Sequence, residues 1–409
     1  MVLEEVIRDV HMQQQAQLGI KNPGLTRDLA FDFRSLKSHA LIISGIRRCG
    51  KSTLLLQLRE REEIRNPFYL NFETPQFFNF SIRDFSRLDR VIRDTGAETL
   101  LLDEIQFMEG WEWYIRQKLD EGYKVIVTGS NASMLETELG TKLTGRHLVR
   151  ELFPFSYQEF LHYKNLIASA ESTEQYISDG GFPGFLTDQI DEYLTSLFTN
   201  ILSRDIVSRY GVKDVKSLHR LALYLYNNAG SRVTATRLKQ PLGIGATSTV
   251  LSWFSHLEMS YLLFFLPCYS HSYKAQMINP RKVYAIDTGM LGRVISKPDR
   301  DMGRRMENMV YLHLRRKYRE LFYYDDAGEC DFVVMSHNVP KELIQVTWEL
   351  TPDNQDREIN GLRKAMEFFN LGQGTVITMS QKEIFTFGNK TITVLPAHEY
   401  LSSPTPFDV

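Results

Sequence analysis

The chain has 409 residues, net charge −2, 43% hydrophobic and 24% charged residues, the make-up of a globular protein with room for two to four domain cores. No apolar run approaches the roughly 18 residues of a membrane span, and the start of the chain, with Glu4, Glu5 and Gln13-Gln14-Gln15, lacks a signal-peptide pattern, so a cytoplasmic protein that does not enter membranes is expected. Cys49, Cys268 and Cys330 are too scattered for a disulfide framework or a zinc knuckle.

Residues 1–39 read as mostly helical. From 40 to 130, apolar strands alternate with helices, with strands predicted at Ala40–Ser44, Phe68–Phe72, Thr99–Leu102 and Lys124–Thr128, the pattern of a parallel α/β sheet. The first strand runs into Gly45-Ile-Arg-Arg-Cys-Gly-Lys-Ser52, and the helix that follows begins Thr53-Leu-Leu-Leu. A glycine-rich loop between strand and helix presents successive N–H groups to phosphate oxygens. Gly45, Arg47, Arg48, Cys49, Gly50, Lys51, Ser52 and Thr53 are therefore expected to bind ATP, with Lys51 at the β/γ-phosphates and the Ser52 hydroxyl on Mg²⁺.

The third strand ends in Asp103-Glu104. An acid at that point holds Mg²⁺, and a second acid beside it is placed to polarise a water for attack on the γ-phosphate. The fourth strand ends in Ser130-Asn131, either a sensor of the γ-phosphate or a cap for a helix from Ala132 onward. Arg146 is either a finger acting on a neighbouring subunit's nucleotide or a surface arginine.

From about 155 to 211 the pattern is helical, broken by a Gly180-Gly-Phe-Pro183 turn, and the charged run Ser203–Tyr210 reads as a solvated helix face. Residues 212–296 hold ten Lys/Arg against three acids, net +7, which leaves −9 on the rest of the chain. Such asymmetry is the footprint of a polyanion. Helices at Val215–Asn228, near Thr234 and at Ala246–Met259, then strands at Tyr261–Tyr269 and Lys282–Ile286 around a polar turn at Ser270–Lys274, suggest a winged helix-turn-helix. Arg232, Arg237, Lys239, Thr247 and Ser248 would contact DNA phosphates; a protein-docking module is the alternative.

Beyond 296, a helix around Arg304–Lys317 carries Glu307. Strands are predicted at Leu321–Tyr324, Cys330–Met335, Glu342–Glu349, Thr375–Met379 and Lys382–Phe387, with Asp331 and Gln345-x-Thr347 among them. Metal-dependent nucleases place acids in this way and follow them with a lysine that steadies the attacking water. Thr347 stands in the lysine's place; Arg363 or Lys364 is the nearest sequence candidate for a displaced cation.

These stretches, with Leu-Leu-Asp-Glu-Ile-Gln, Thr-Gly-Ser-Asn-Ala-Ser, Leu-Thr-Gly-Arg, Glu-Leu-Phe-Pro-Phe-Ser-Tyr-Gln-Glu-Phe and Val-Tyr-Ala-Ile-Asp-Thr-Gly, resemble an archaeal and bacterial ATPase family of the AAA+ class. The resemblance implies a P-loop AAA+ ATPase domain with a helical lid (1–211), a winged helix (212–296) and a restriction-nuclease-like α/β domain (297–409); the departure at Thr347, which lacks the lysine, argues against cleavage there. The resemblance assigns Lys51, Ser52, Asp103, Glu104, Ser130, Asn131 and Arg146 the roles given above. Two functions follow as expectations: an ATP-hydrolysing motor, a hexameric ring of this one chain, that remodels DNA, or a nucleotide-operated switch whose C-terminal domains dock protein.

Overall fold

The computed structural model describes residues 1–20, 22–27, 31, 33, 36, 38–131, 143, 145–295, 302–326 and 328–402. The expected helix cap on Ala132 and the expected boundary at 296/297 lie outside them. Contacts divide the chain into two compact units, Met1–Phe153 and Pro154–Val409.

In the first unit, β1 (Ala40–Ser44), β2 (Pro67–Asn71), β3 (Thr99–Asp103), β4 (Lys124–Gly129) and β5 (His147–Glu151) form one parallel sheet in the order β2-β3-β4-β1-β5. Every residue of β1 and β3 is buried, as expected of strands covered on both faces. The core gathers Ile42, Phe68, Leu70, Leu100, Leu102, Val125 and Val127 with Ile115 and Tyr114 of the helix Trp111–Asp120. The helix Glu4–Ile20 packs Ile7 and Val10 into the same core.

The fifth strand had no counterpart in the sequence reading. His147-Leu-Val-Arg-Glu151 is only partly buried along its length, because it is the sheet's edge, and an edge strand shows no clean apolar run.

The second unit opens with helices Tyr157–Lys164, Ala170–Asp179, Pro183–Asp188 and Glu192–Asn200, the last running on as a wider π-helical stretch, Ile201–Ser208. Asp205 within it is buried, so the Ser203–Tyr210 run is not wholly a solvated face. Helices Val215–Asn227, Ala235–Lys239 and Thr247–Met259 follow, with β6 (Arg232–Val233), β7 (Leu263–Leu266) and β8 (Arg281–Ala285) in an antiparallel sheet ordered β6-β8-β7. The polar turn expected at Ser270–Lys274 instead leads into a short surface helix, Tyr273–Ile278, which Ser272 caps and which buries nothing.

The helix Met302–Lys317 leads to a six-stranded mixed sheet, β13-β14-β12-β11-β10-β9, built from β9 (Glu320–Asp325), β10 (Glu329–Ser336), β11 (Val339–Val346), β12 (Gln373–Thr378), β13 (Glu383–Phe387) and β14 (Lys390–Pro396). The helix Gln355–Phe368 packs Ile359, Leu362 and Met366 against it.

The Val283-Tyr-Ala-Ile-Asp-Thr-Gly289 stretch has a structural task. Buried Asp287 caps the helix Thr288–Val294 by accepting from Met290 N (2.8 Å), and its other oxygen accepts from Gly181 N (2.7 Å). A side chain at Gly180 would collide with that carboxylate at 2.2 Å. Burial pushes the Asp287 carboxyl up to about 6, against the two N–H bonds that favour its charge. A folded pKa above the unfolded one gives stability that is complete below about pH 4 and lost as pH rises through about 6. Asp287→Ala is expected to cost about 2–4 kcal/mol, because two buried N–H groups lose their acceptor. It should also flatten the stability change between pH 4 and 6 in urea titrations; an unchanged slope would move the titration to another group.

Candidate active site

The phosphate loop leaves β1 through Gly45. A Cβ there would stand 2.0 Å from Leu152 O, so the loop can approach β5's exit only as glycine. Gly50, at φ +103°, turns the chain into the helix Lys51–Arg59 and offers that helix no side-chain cap, which leaves its first N–H groups for an incoming anion. Arg27, itself buried, ties the loop down by donating to Cys49 O (2.7 Å) and Phe153 O (2.8 Å). Burial raises the Cys49 thiol's pKa, so it acts as packing rather than as a nucleophile.

Lys51 is 3% exposed, and its ammonium donates to Gly45 O (3.0 Å) and Ile46 O (3.2 Å), 3.5 Å from a Glu104 oxygen. Burial works against its charge, but Glu104, Cys49 and Asp103 outweigh it and raise its pKa. Lys51 therefore stays a full cation.

Asp103 ends β3 wholly buried. Its Oδ2 accepts from Tyr69 OH and Asn71 Nδ2, both at 2.9 Å, its Oδ1 accepts from Thr128 Oγ1, and Ser52 also hydrogen-bonds to it. Burial, then the charge of Glu104, raises its pKa. A carboxylate so placed, with a serine hydroxyl on it, fits the oxygen-donor half of a Mg²⁺ site that water and phosphate oxygens would complete.

Glu104 takes a left-handed backbone conformation (φ 51°), with its N–H on Thr128 Oγ1 (2.9 Å). That turn carries its carboxylate away from the line of β3 toward Lys51. Burial would raise its pKa, but Lys51, a hydrogen bond from Gln106 and Arg47 together hold it below the usual value. Glu104 is thus an ionised acceptor at neutral pH, as a water-polarising group must be.

Gln106 Nε2 donates both to Glu104 Oε2 and to Ser130 Oγ (3.2 Å), while its Oε1 is buried with no hydrogen-bond partner. It joins the base to the end of β4, where Ser130 and Asn131 are both buried. Sequence reasoning missed Gln106, Tyr69, Asn71 and Thr128. The one available signal was position: Asn71 and Asp103 are register partners at the ends of β2 and β3.

Arg146 stands apart from this group. It pairs with Asp120 of its own unit and donates to Ser38 O (3.1 Å), the surroundings of a structural arginine. Of the expected DNA contacts, Arg237 and Ser248 are exposed, while Lys239 and Thr247 are half-buried. Arg232 is spent inside the chain, bridging Asp325 and Glu329, which face each other across β9 and β10. Arg293 likewise pairs with Asp191 (2.8 Å). The +7 of residues 212–296 is thus partly neutralised from within the chain.

The acids of the C-terminal sheet do gather, though around a residue the sequence did not suggest. Lys282 of β8, buried, donates to Asp331 (2.6 Å) and Glu307 (3.0 Å). Tyr284 OH donates to the same Glu307 oxygen (2.6 Å), Gln345 accepts from Asp331 N (3.1 Å), and Gln345 donates to buried Glu358 (2.7 Å). Burial, with Asp331 adding to it, raises Glu307 to about 7 despite Lys282. Thr347 points elsewhere, donating to Glu349 O (3.2 Å). The displaced cation is neither Arg363, which lies over the Phe387 ring, nor Lys364, whose Cβ packs beside Gly328. Among the described residues no trio of His, Cys, Asp or Glu is grouped to hold a metal, and no helix is long and apolar enough to cross a membrane.

A phosphate loop after the first strand of a parallel sheet, with paired acids at the end of β3, one strand removed across β4, defines a domain of the AAA ATPase class; residues 37–161 match the family described as an AAA domain, and residues 170–301 match one described as a domain of unknown function. The chain belongs to the family that includes the uncharacterized protein MJ1544 of Methanocaldococcus jannaschii, to which it is 30% identical over 395 residues, covering 90% of this chain and 87% of that protein. An uncharacterized protein of Haemophilus influenzae is 31% identical over 336 residues, covering 76% and 83%. Among solved structures, Cdc6p from Pyrobaculum aerophilum aligns with 13% identity over 69% of this chain and 91% of its own, at a TM-score of 0.25, too slight a likeness to argue from.

Proposed function

We propose that the protein is a Mg²⁺-dependent ATPase. The observation that carries this is the meeting of cationic Lys51, buried Asp103 and ionised Glu104 at the strand ends beside the phosphate loop. When bound, Mg²⁺ would supply charge to the β- and γ-phosphate oxygens, with Ser52 and Asp103 holding it. Lys51 leaves its loop carbonyls for the phosphates, Glu104 accepts a proton from the attacking water, and Gln106 keeps the Glu104 carboxylate aimed. Ser130 and Asn131 stand where the γ-phosphate would meet the end of β4. Arg146 acts across a ring of identical subunits only by leaving Asp120, so activity should depend on protein concentration if it does. Phosphate release from ATP with and without Mg²⁺ tests the reading.

For the output we propose DNA remodelling by a winged-helix segment at 212–296, between the ATPase (1–211) and a non-cleaving nuclease-like domain (297–409). Exposed Arg237 and the neighbouring Lys239 support it. The internal pairing of Arg232, Lys282 and Arg293 supports the other reading, a switch that docks protein. Under the DNA reading, DNA should speed ATP turnover. With about four phosphate contacts, affinity should fall by roughly two decades for a fourfold rise in salt. Arg237→Glu with Lys239→Glu should weaken binding on every sequence alike; no binding of duplex, fork or junction at low salt would favour the switch.

A further inference from the structure

The phosphate loop carries an arginine already paired with an acid of its own unit. Arg47, between Gly45 and Gly50, donates through Nη1 to Glu73 Oε1 at 2.8 Å, with side chains 15% and 34% exposed. Arg47 lies on the phosphate loop itself, two residues after Gly45 and four before Lys51. Glu73 is fixed from behind: its N–H donates to Asn71 Oδ1 (2.7 Å), and Asn71 Nδ2 donates to Asp103. A carboxylate thus meets the loop's arginine in the way a phosphate oxygen would, on a segment anchored to the proposed metal ligand.

We infer that Glu73 is an internal competitor for the triphosphate at Arg47, and that its displacement reports nucleotide binding to the segment after β2. This rests on the ATPase reading and adds a regulating residue to it. A guanidinium pairs with carboxylate and phosphate in the same geometry, and phosphate carries the greater charge. Triphosphate should therefore win Arg47, and the freed Glu73 is repelled by the charge that replaced it. The segment it heads, Thr74 to Phe80, buries Phe77 and Phe80 but leaves Phe78 90% exposed, a position where a reporter disturbs no packing.

The test is binding of a fluorescent ATPγS analogue and a fluorescent ADP analogue, with Mg²⁺, to the full chain. Removing a partly exposed competing pair should tighten ATPγS binding in Glu73→Gln by roughly three- to fivefold. Arg47→Gln should weaken it, and adding Glu73→Gln to Arg47→Gln should change nothing further. A Phe78→Trp reporter should change emission on ATPγS addition when Glu73 is present and stay silent with Glu73→Gln. Equal or weaker binding by Glu73→Gln, tightening that persists without Arg47, or a reporter indifferent to Glu73 would overturn the inference while the ATPase reading stands. A wild-type protein that binds neither analogue would overturn both.

Discussion

Glu104→Gln is expected to keep ATP bound and to slow its hydrolysis by about 10²–10⁴. The amide is almost the same shape as the carboxylate, so the left-handed turn at 104, its bond to Thr128 and the loop around Lys51 should persist. What goes is the negative charge that Lys51 and Gln106 hold ionised, and with it the ability to take a proton from water. Losing Glu104 also removes a negative charge, 3.5 Å away, that favours the Lys51 ammonium, which leaves that cation freer to meet phosphate. Affinity for ATP should therefore hold or improve while turnover falls. Single-turnover phosphate release set against equilibrium binding separates the two effects. Turnover at the wild-type rate would take the base's role from Glu104.

Lys282→Met is expected to cost about 3–5 kcal/mol of stability in the Pro154–Val409 unit, since it strands buried Asp331 without its cation and leaves Glu307, already raised to about 7, to take up a proton. The loss is large against the roughly 5–15 kcal/mol that holds a whole domain. Adding Asp331→Asn to Lys282→Met should restore part of it, because an amide carries no charge to leave unpaired. Urea unfolding of the three variants measures this directly, and a change below about 1 kcal/mol for Lys282→Met would show that the cluster bears no stability. The same lysine supports the expectation that this domain does not cleave nucleic acid. An ammonium bridging Asp331 and Glu307 occupies the oxygens a divalent cation would need, and nothing at Thr347 replaces the missing charge.

The two clusters differ in how far they could be read from sequence, and the reason is physical. The phosphate loop is local: Gly45 to Ser52 is one turn of chain whose backbone would do the binding, so its residue types announce it. Asp103-Glu104 is legible for the same reason, as the end of an apolar strand and the residue just after it. Tyr69, Asn71 and Thr128 reach Asp103 only because β2, β3 and β4 lie side by side in one register, which spacing along the chain does not encode. Lys282 is harder still. It sits 49 residues before Asp331 on a strand of a different sheet, and in sequence it is one of ten cations in a basic stretch. Those cations read together as a polyanion footprint, and spacing does not reveal that two of them, Arg232 and Lys282, register partners on β6 and β8, turn to acids of the same unit. Strand β5 escaped because it is partly exposed along its length, which blurs the apolar alternation, whereas β14 does alternate, with buried Ile392 and Val394 following Thr391 and Thr393 in turn, and was legible though missed.

The measurement that bears most directly on the central claim is steady-state phosphate release from Mg²⁺–ATP by the wild-type chain beside Lys51→Ala. Release is expected to require Mg²⁺ and to disappear in Lys51→Ala together with ATP binding, because the buried ammonium held at the carbonyls of Gly45 and Ile46 is gone. Equal release from both proteins, or a wild-type chain that neither binds nor hydrolyses ATP, would contradict it.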